Sequence, residues 1–219
     1  MAVWTWWLEA LRSVLDVLST DLGLGMGLAI VTLTLLARTA LLPLTWSLGY
    51  RAAVRQRKLA RLKPELERLK TLYESSPELQ LKKQLALYQE HGLSLVDGRS
   101  LLGSFVQMPI LLGLFQTLRQ GIGEATRFLW IANLARPDTL LAIVAGLTTA
   151  LLMNANPDLP EQFRALIVIV PAVVAALVAL KFASALALYW ATANGFSAVQ
   201  TAVLHFVVAR RVRLGKLEI

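Results

Sequence analysis

The chain has 219 residues, 56% of them hydrophobic, with a mean hydropathy of +0.58, which excludes an ordinary water-soluble domain and places it among integral membrane proteins. The formal net charge of +8 would suggest nucleic acid in a soluble protein, but most basic residues here fall in two blocks flanking apolar stretches, so topology and anionic lipid headgroups account for them. The cysteine count is 0, which excludes disulfides, thiolate metal sites, cysteine nucleophiles and a lipid-modified cysteine.

In chain order, residues 1–21 come first and read as an amphipathic helix. Trp4, Trp7, Leu8, Leu11, Leu15 and Leu18 recur at helical spacing, with Glu9, Arg12, Ser13 and Asp16 on the opposite side. Three tryptophans, Trp4, Trp6 and Trp7, suit a helix lying in the outer membrane interface. The opening Met-Ala-Val-Trp has no basic n-region, so no cleavable signal peptide is expected. Residues 22–48 follow as the first transmembrane helix, long enough to cross a hydrocarbon core of about 30 Å. Residues 49–97 are polar and basic and read as a cytoplasmic helical hairpin. Its arms are residues 50–73 and 78–91, joined at Glu74-Ser75-Ser76-Pro77, with Pro77 suited to the first helical position. Residues 98–219 supply four further spans, at 100–120, 139–153, 163–180 and 184–209. The span at 139–153 is short and is expected to tilt little or to thin the bilayer.

A second basic cluster, Arg210, Arg211, Arg213 and Lys216, follows the last span. Five crossings put both basic blocks on one side, and the positive-inside rule makes that side cytoplasmic. The N-terminus is then outside and the C-terminus cytoplasmic. The predicted fold class is all-α: five transmembrane helices, a cytoplasmic helical hairpin and an N-terminal interfacial amphipathic helix.

One cation interrupts the first span. At about 1.5 Å of rise per residue, Arg38 lies roughly 15 Å from the end of that span, near mid-depth. A cation there costs about 2.5–3.5 kcal/mol on insertion scales, so it should face protein or water and marks a functional site. No Asp or Glu lies inside the other four spans, which favours an acidic partner carried by a substrate over an internal ion pair. Thr34 lies one turn before Arg38 on the same helical face. Gln107, Tyr189, Trp190, Asn194 and Gln200 add donors and acceptors from other spans, and polar groups at such depth belong beside protein or a water-filled cavity. Gln107 reads alternatively as hydrogen-bonded helix glue. Pro43, Pro109 and Pro171 each remove a helical hydrogen bond and tend to kink their spans, which leaves room for water; Pro171 reads better as a packing feature. His91 and His205 are isolated, so neither a metal nor a cofactor is expected. There is no Gly-x-Ser-x-Gly, no His-Glu-x-x-His and no intramembrane Asp pair, and no enzymatic reaction is expected.

A set of motifs, in order, resembles the YidC/Oxa family of membrane protein insertases. Ala37-Arg38-Thr39-Ala40-Leu41-Leu42-Pro43-Leu44 resembles the arginine-to-proline segment of its first conserved span. Leu62-Lys63-Pro64-Glu65-Leu66 is similar to the first arm of its hairpin, and Gln107-Met108-Pro109-Ile110 to the signature of its next span. Phe128-Leu129-Trp130 with Asp138 resembles its short external loop, and Leu188-Tyr189-Trp190 with Asn194 and Gln200 its last conserved span. Two turns depart from the family pattern: Asp97-Gly98-Arg99-Ser100 stands where a Gly-Cys-x-Pro is usual, and Ala183-Ser184-Ala185 where Pro-Ala-Gly is usual.

The resemblance implies the minimal five-span form of an insertase and chaperone in the bacterial plasma (inner) membrane. Such a protein inserts and helps fold integral membrane proteins through a hydrophilic, positively charged groove open to cytoplasm and lipid, alone or with the Sec translocon. It assigns Arg38 to the centre of that groove. The implied partners are nascent membrane proteins, the Sec translocon, the ribosome or the signal recognition particle and its receptor at the hairpin, and anionic lipid headgroups. The alternative is a small anion transporter or channel using Arg38, although no convincing internal repeat supports it.

Overall fold

The computed structural model describes residues 2–93, 112–113, 115–117, 126–157 and 159–217. Its helices are α1 (Ala2–Asp16), α2 (Gly25–Ala40), α3 (Leu42–Leu72), α4 (Pro77–Glu90), α5 (Thr139–Asn154), α6 (Glu161–Ala179) and α7 (Ser184–Arg213), with a π-helical turn (Val17–Asp21) after α1. Among the described residues the only β feature is an isolated bridge between Phe128 and Ile131. The molecule is an all-α membrane protein. Among the described residues, α6 alone is long and apolar enough to cross a membrane by itself. Helices α2 and α3 meet that test together, and α5 is apolar but shorter.

The first span departs from its predicted form. Residues 22–48 read as one helix, with a separate hairpin arm from residue 50. Instead α2 stops at Ala40, the axis bends by 63°, and α3 runs without a break from Leu42 to Leu72. Pro43 explains the position of the break. It has no N–H to offer the Thr39 carbonyl, and its ring would strike that carbonyl if α2 continued. In the first turn of a new helix the same residue is tolerated, because that N–H would have no partner anyway. The Leu41 N–H still bonds the Ala37 carbonyl at 3.0 Å, so the interruption is confined to one residue.

Helix α1 packs its leucine stripe against the bundle. Leu11, Leu15 and Leu18 are buried and join Ile30 and Leu33 of α2 in the core, while Trp6 faces outward. The Trp4 Nε1–H donates to Gln116 Oε1 at 3.0 Å. The leucine stripe finds an apolar protein surface, and burying it there removes more area from water than an interface would.

Helix α7 is the central element and packs against α2, α3, α5 and α6. Small side chains allow this. Ala142, Ala145 and Gly146 of α5 meet Ala175 and Ala179 of α6 and the run Ser184, Ala185, Ala187 and Ala191 of α7, all buried. Close backbone approach through small residues is the means by which helices associate in lipid, where apolar burial gives no drive. The outer surface has the opposite character. Leu140, Ile143, Leu147 and Leu151 of α5, and Phe163, Leu166, Ile169, Val173 and Leu177 of α6, are exposed. An apolar stripe of that extent on a protein in water would be a binding or aggregation surface; in a bilayer it faces acyl chains.

The tightest approach is at Gly146, where an added Cβ would stand 2.9 Å from the Ala172 carbonyl oxygen and 3.1 Å from the Ala176 Cβ. Gly146→Ile is therefore expected to force α5 and α6 apart and to destabilise the fold by about 1–3 kcal/mol. Gly195, mid-helix in α7 with open space beside it, should accept Ala with no loss. Thermal unfolding of both variants in one detergent checks the contrast.

Candidate functional site

Arg38 sits in the last turn of α2, three residues before the break. Its Nε is buried and has no hydrogen-bond partner among the described residues. Neither α2, α5 nor α7 contains an Asp or Glu, and the acid of α6, Glu161, lies at its first residue. Two features of the fold make the charge tolerable. The break gives α2 a C-terminus beside Arg38, and the negative end of a helix favours a nearby cation by about 0.3–1 kcal/mol. The Tyr189 phenol of α7 lies within electrostatic range of the guanidinium.

The remaining residues singled out by the sequence fall into two groups on α7. At about 100° per residue, Tyr189 and Gln200 are only about 20° apart around the helix, whereas Asn194 is about 140° from Tyr189. The contacts follow this division. Gln200 Nε2–H donates to Thr45 Oγ1 of α3 at 3.1 Å. Asn194 Nδ2–H donates to Thr149 Oγ1 of α5 at 2.8 Å. Arg38, Tyr189 and Gln200 thus border the seam between α7 and the bent α2–α3 pair, and Asn194 belongs to the α5–α7 interface. Trp190 is half-buried beside Tyr189, which is itself buried in the core.

Thr34 is fully buried, and its hydroxyl donates to the Ile30 carbonyl of its own helix at 2.6 Å. It therefore lies behind Arg38 and presents no group to an open surface. Pro43 is the second residue of α3 at the bend. Pro171 lies inside α6, which continues through it as a helix. Gln107 and Pro109 lie outside the described residues.

Thr45 was not singled out in the sequence and proves to be a junction. Its hydroxyl donates to the Leu41 carbonyl at 3.0 Å, across the break, and accepts from Gln200. Its place just after Pro43 was the available signal, since a threonine hydroxyl bonds the carbonyl four residues before it. Ser184 was missed in the same way. Its backbone N–H and its hydroxyl both donate to the Arg136 carbonyl, at 3.0 and 2.6 Å.

Residues 126–138 close one end of the bundle. Asp138 caps α5 by accepting the Leu141 N–H at 2.7 Å and also accepts the Trp130 Nε1–H at 3.3 Å. The Ala185 N–H donates to the Leu134 carbonyl at 3.0 Å, and Ile131 and Leu134 are buried. The Phe128 ring lies against Gly27 of α2, where any Cβ would collide with it.

The Gln200–Thr45 bond ties the bend to α7 and can be measured. A double-mutant cycle of Gln200→Leu and Thr45→Val should give a coupling of about 0.6 kcal/mol, the mean for interhelical hydrogen bonds in lipid. Reversible unfolding in mixed micelles is the readout, and zero coupling would mean the bond contributes nothing.

Comparison with known proteins agrees with this architecture. A family model described as 60Kd inner membrane protein matches residues 17–210. A relative from Aquifex aeolicus named membrane protein insertase YidC is 31% identical over 186 residues, covering 84% of this chain and 36% of its own length. Proteins of the same name from Clostridium tetani and Staphylococcus aureus (strain JH9) are 30% and 27% identical, covering 83% and 96% of this chain and 82% and 77% of their own lengths. The chain spans little more than a third of the Aquifex relative and of the 28% identical Marinomonas one. By the breadth of the match and the order of its motifs, the chain belongs to the 60Kd inner membrane protein family, the YidC-type membrane proteins that its sequence resembles.

Proposed function

We propose that this protein is a membrane protein insertase and chaperone that lowers the cost of moving a short polar tail and an apolar helix from water into lipid. No covalent bond changes in that process, so the requirement is a polar notch that shortens the hydrophobic barrier. The observation that carries the reading is Arg38: a guanidinium in an apolar helix whose Nε is buried with no hydrogen-bond partner among the described residues, beside helices α5 and α7 that hold no carboxylate. An acidic residue in a passing tail would supply the missing counter-charge. Buried charges in lipid face protein or water and mark the path of a substrate.

Other features agree with a groove closed at one end. Phe128, Ile131 and Leu134 fill the loop end of the bundle, and the basic segment of α3 lies at the other. The 63° bend separates α3 from the line of α2 and keeps the two helices from packing along one axis. In this reading the protein sits in the bacterial plasma membrane with five spans, the N-terminus outside and the C-terminus cytoplasmic. Helices α3 and α4, joined by the turn at residues 73–76, form a cytoplasmic hairpin. Their basic face is suited to the ribosome or to the signal recognition particle and its receptor, and cooperation with the Sec translocon extends the range of substrates. The same residues that border Arg38, Tyr189 and Trp190 among them, would contact the nascent chain.

Arg38→Ala should lower insertion of a substrate with an acidic translocated tail by about tenfold, the equivalent of roughly 1.4 kcal/mol. Arg38→Lys should be milder, because charge rather than fork geometry is needed. Protease protection of the tail in proteoliposomes measures both, and equal loss in the two variants would point to a bidentate solute site instead. A photo-crosslinker at Trp190 should capture a nascent membrane protein stalled on the ribosome; a folded protein giving no adduct there would count heavily against insertion.

A further inference from the structure

We infer that the cavity between α3, the end of α4 and the C-terminal tail binds the phosphate headgroup of a single anionic phospholipid. The cavity has a volume of about 370 Å³, within the range of pockets that hold small ligands. Arg51, Arg55 and Lys58 line it together with Val54, Leu93 and Leu217, and none of its lining residues among the described ones is acidic. The three cations stand at i, i+4 and i+7, so one face of α3 presents them together.

The apolar side of the cavity is built by two helix ends with the same closure. At the end of α4, Gly92 takes φ +63° and its N–H bonds the Gln89 carbonyl at 3.0 Å, while the Leu93 N–H bonds Tyr88 at 2.7 Å. At the end of α7, Gly215 takes φ +65° and bonds Val212 at 3.1 Å, while the Lys216 N–H bonds Arg211 at 3.0 Å. A left-handed glycine with this pair of bonds reverses the chain sharply. It turns Leu93, and just beyond it Leu217, onto α3 beside Val54. Tyr50 also lines the cavity, and Arg211 lies over its ring at 5.2 Å and donates to its hydroxyl at 3.1 Å, adding a cation at the margin.

Cations on one side and aliphatic carbons on the other match an amphiphile. A free phosphate or a nucleic-acid backbone would use the cations and leave the leucines idle. The site also lies where α3 passes from the apolar residues 41–48 to the basic residues 51–63, which in the membrane orientation proposed above is headgroup depth. The inference rests on that orientation.

The test uses the purified full chain in detergent, titrated with phosphatidylglycerol, phosphatidylcholine, inorganic phosphate or a short RNA and read by native mass spectrometry. One phosphatidylglycerol should be retained per chain, and Arg51→Gln with Lys58→Gln should weaken retention about tenfold. Lys63→Gln with Lys70→Gln removes equal charge from the same helix outside the cavity and should leave retention unchanged. Leu217→Ser, in the tail, should also weaken retention while leaving every charge in place. Equal loss in both double variants, equal retention of phosphatidylcholine, or displacement of the lipid by millimolar phosphate or equimolar RNA would each overturn the site. No substrate is present in this assay, so a chain inactive in insertion that still retained its lipid would support the site while sinking the insertase reading alone.

Discussion

A guanidinium set in the last turn of an apolar helix, with no carboxylate on α2, α5 or α7, is the constraint around which the described residues are organised. Burial of a charge is unfavourable unless something compensates it. Here the backbone supplies a partial counter-charge, and a phenol lies nearby. The chain breaks α2 just after Arg38, so the helix presents its negative end to the cation, and α7 brings Tyr189 alongside. Neither device neutralises the charge fully.

The bend that supplies this helix end also fixes how the rest of the molecule is joined. Pro43 starts α3 rather than ending α2, and α3 then continues for 31 residues, beyond the apolar stretch and into the basic segment. One rigid rod therefore connects the seam beside Arg38 to the polar helices that precede the turn at residues 73–76. Thr45 couples the rod to α7 by accepting from Gln200, and the Arg57 guanidinium donates to the His205 carbonyl at 3.4 Å farther along the same interface.

At the opposite end the structure is closed by short-range chemistry. Asp138 caps α5, Ser184 and Ala185 anchor the start of α7 to the backbone of residues 134–136, and Phe128 packs on Gly27. Leu129, with φ +51° and its side chain exposed, is the strained apex of the bridge between Phe128 and Ile131. The contrast between a sealed end and an end lined with arginines gives the bundle a direction.

Much of this was legible in the sequence because it depends on local chemistry. The apolar runs gave α5, α6 and α7 nearly to the residue, Ser76-Pro77 marked the start of α4, and Arg38 stood out because its cost depends only on charge and depth. The partners of Gln200 and Asn194, the withdrawal of Thr34 into the core and the packing of the α1 leucines were not legible. Each depends on which face of one helix meets another, and a repeat of 3.6 residues specifies a face without specifying its neighbour. The break at Leu41 lies between these cases. Pro43 announced a disturbance, but whether it would kink one helix or begin another was decided by the packing of α3 along α7, where Gly49 lets Leu204 approach and only the redirected axis brings Thr45 to Gln200. Composition and periodicity thus determined that the chain is a helical membrane protein with a cation inside an apolar stretch; tertiary packing decided which helices stand beside that cation, because contacts between distant segments are set by shape rather than by sequence spacing.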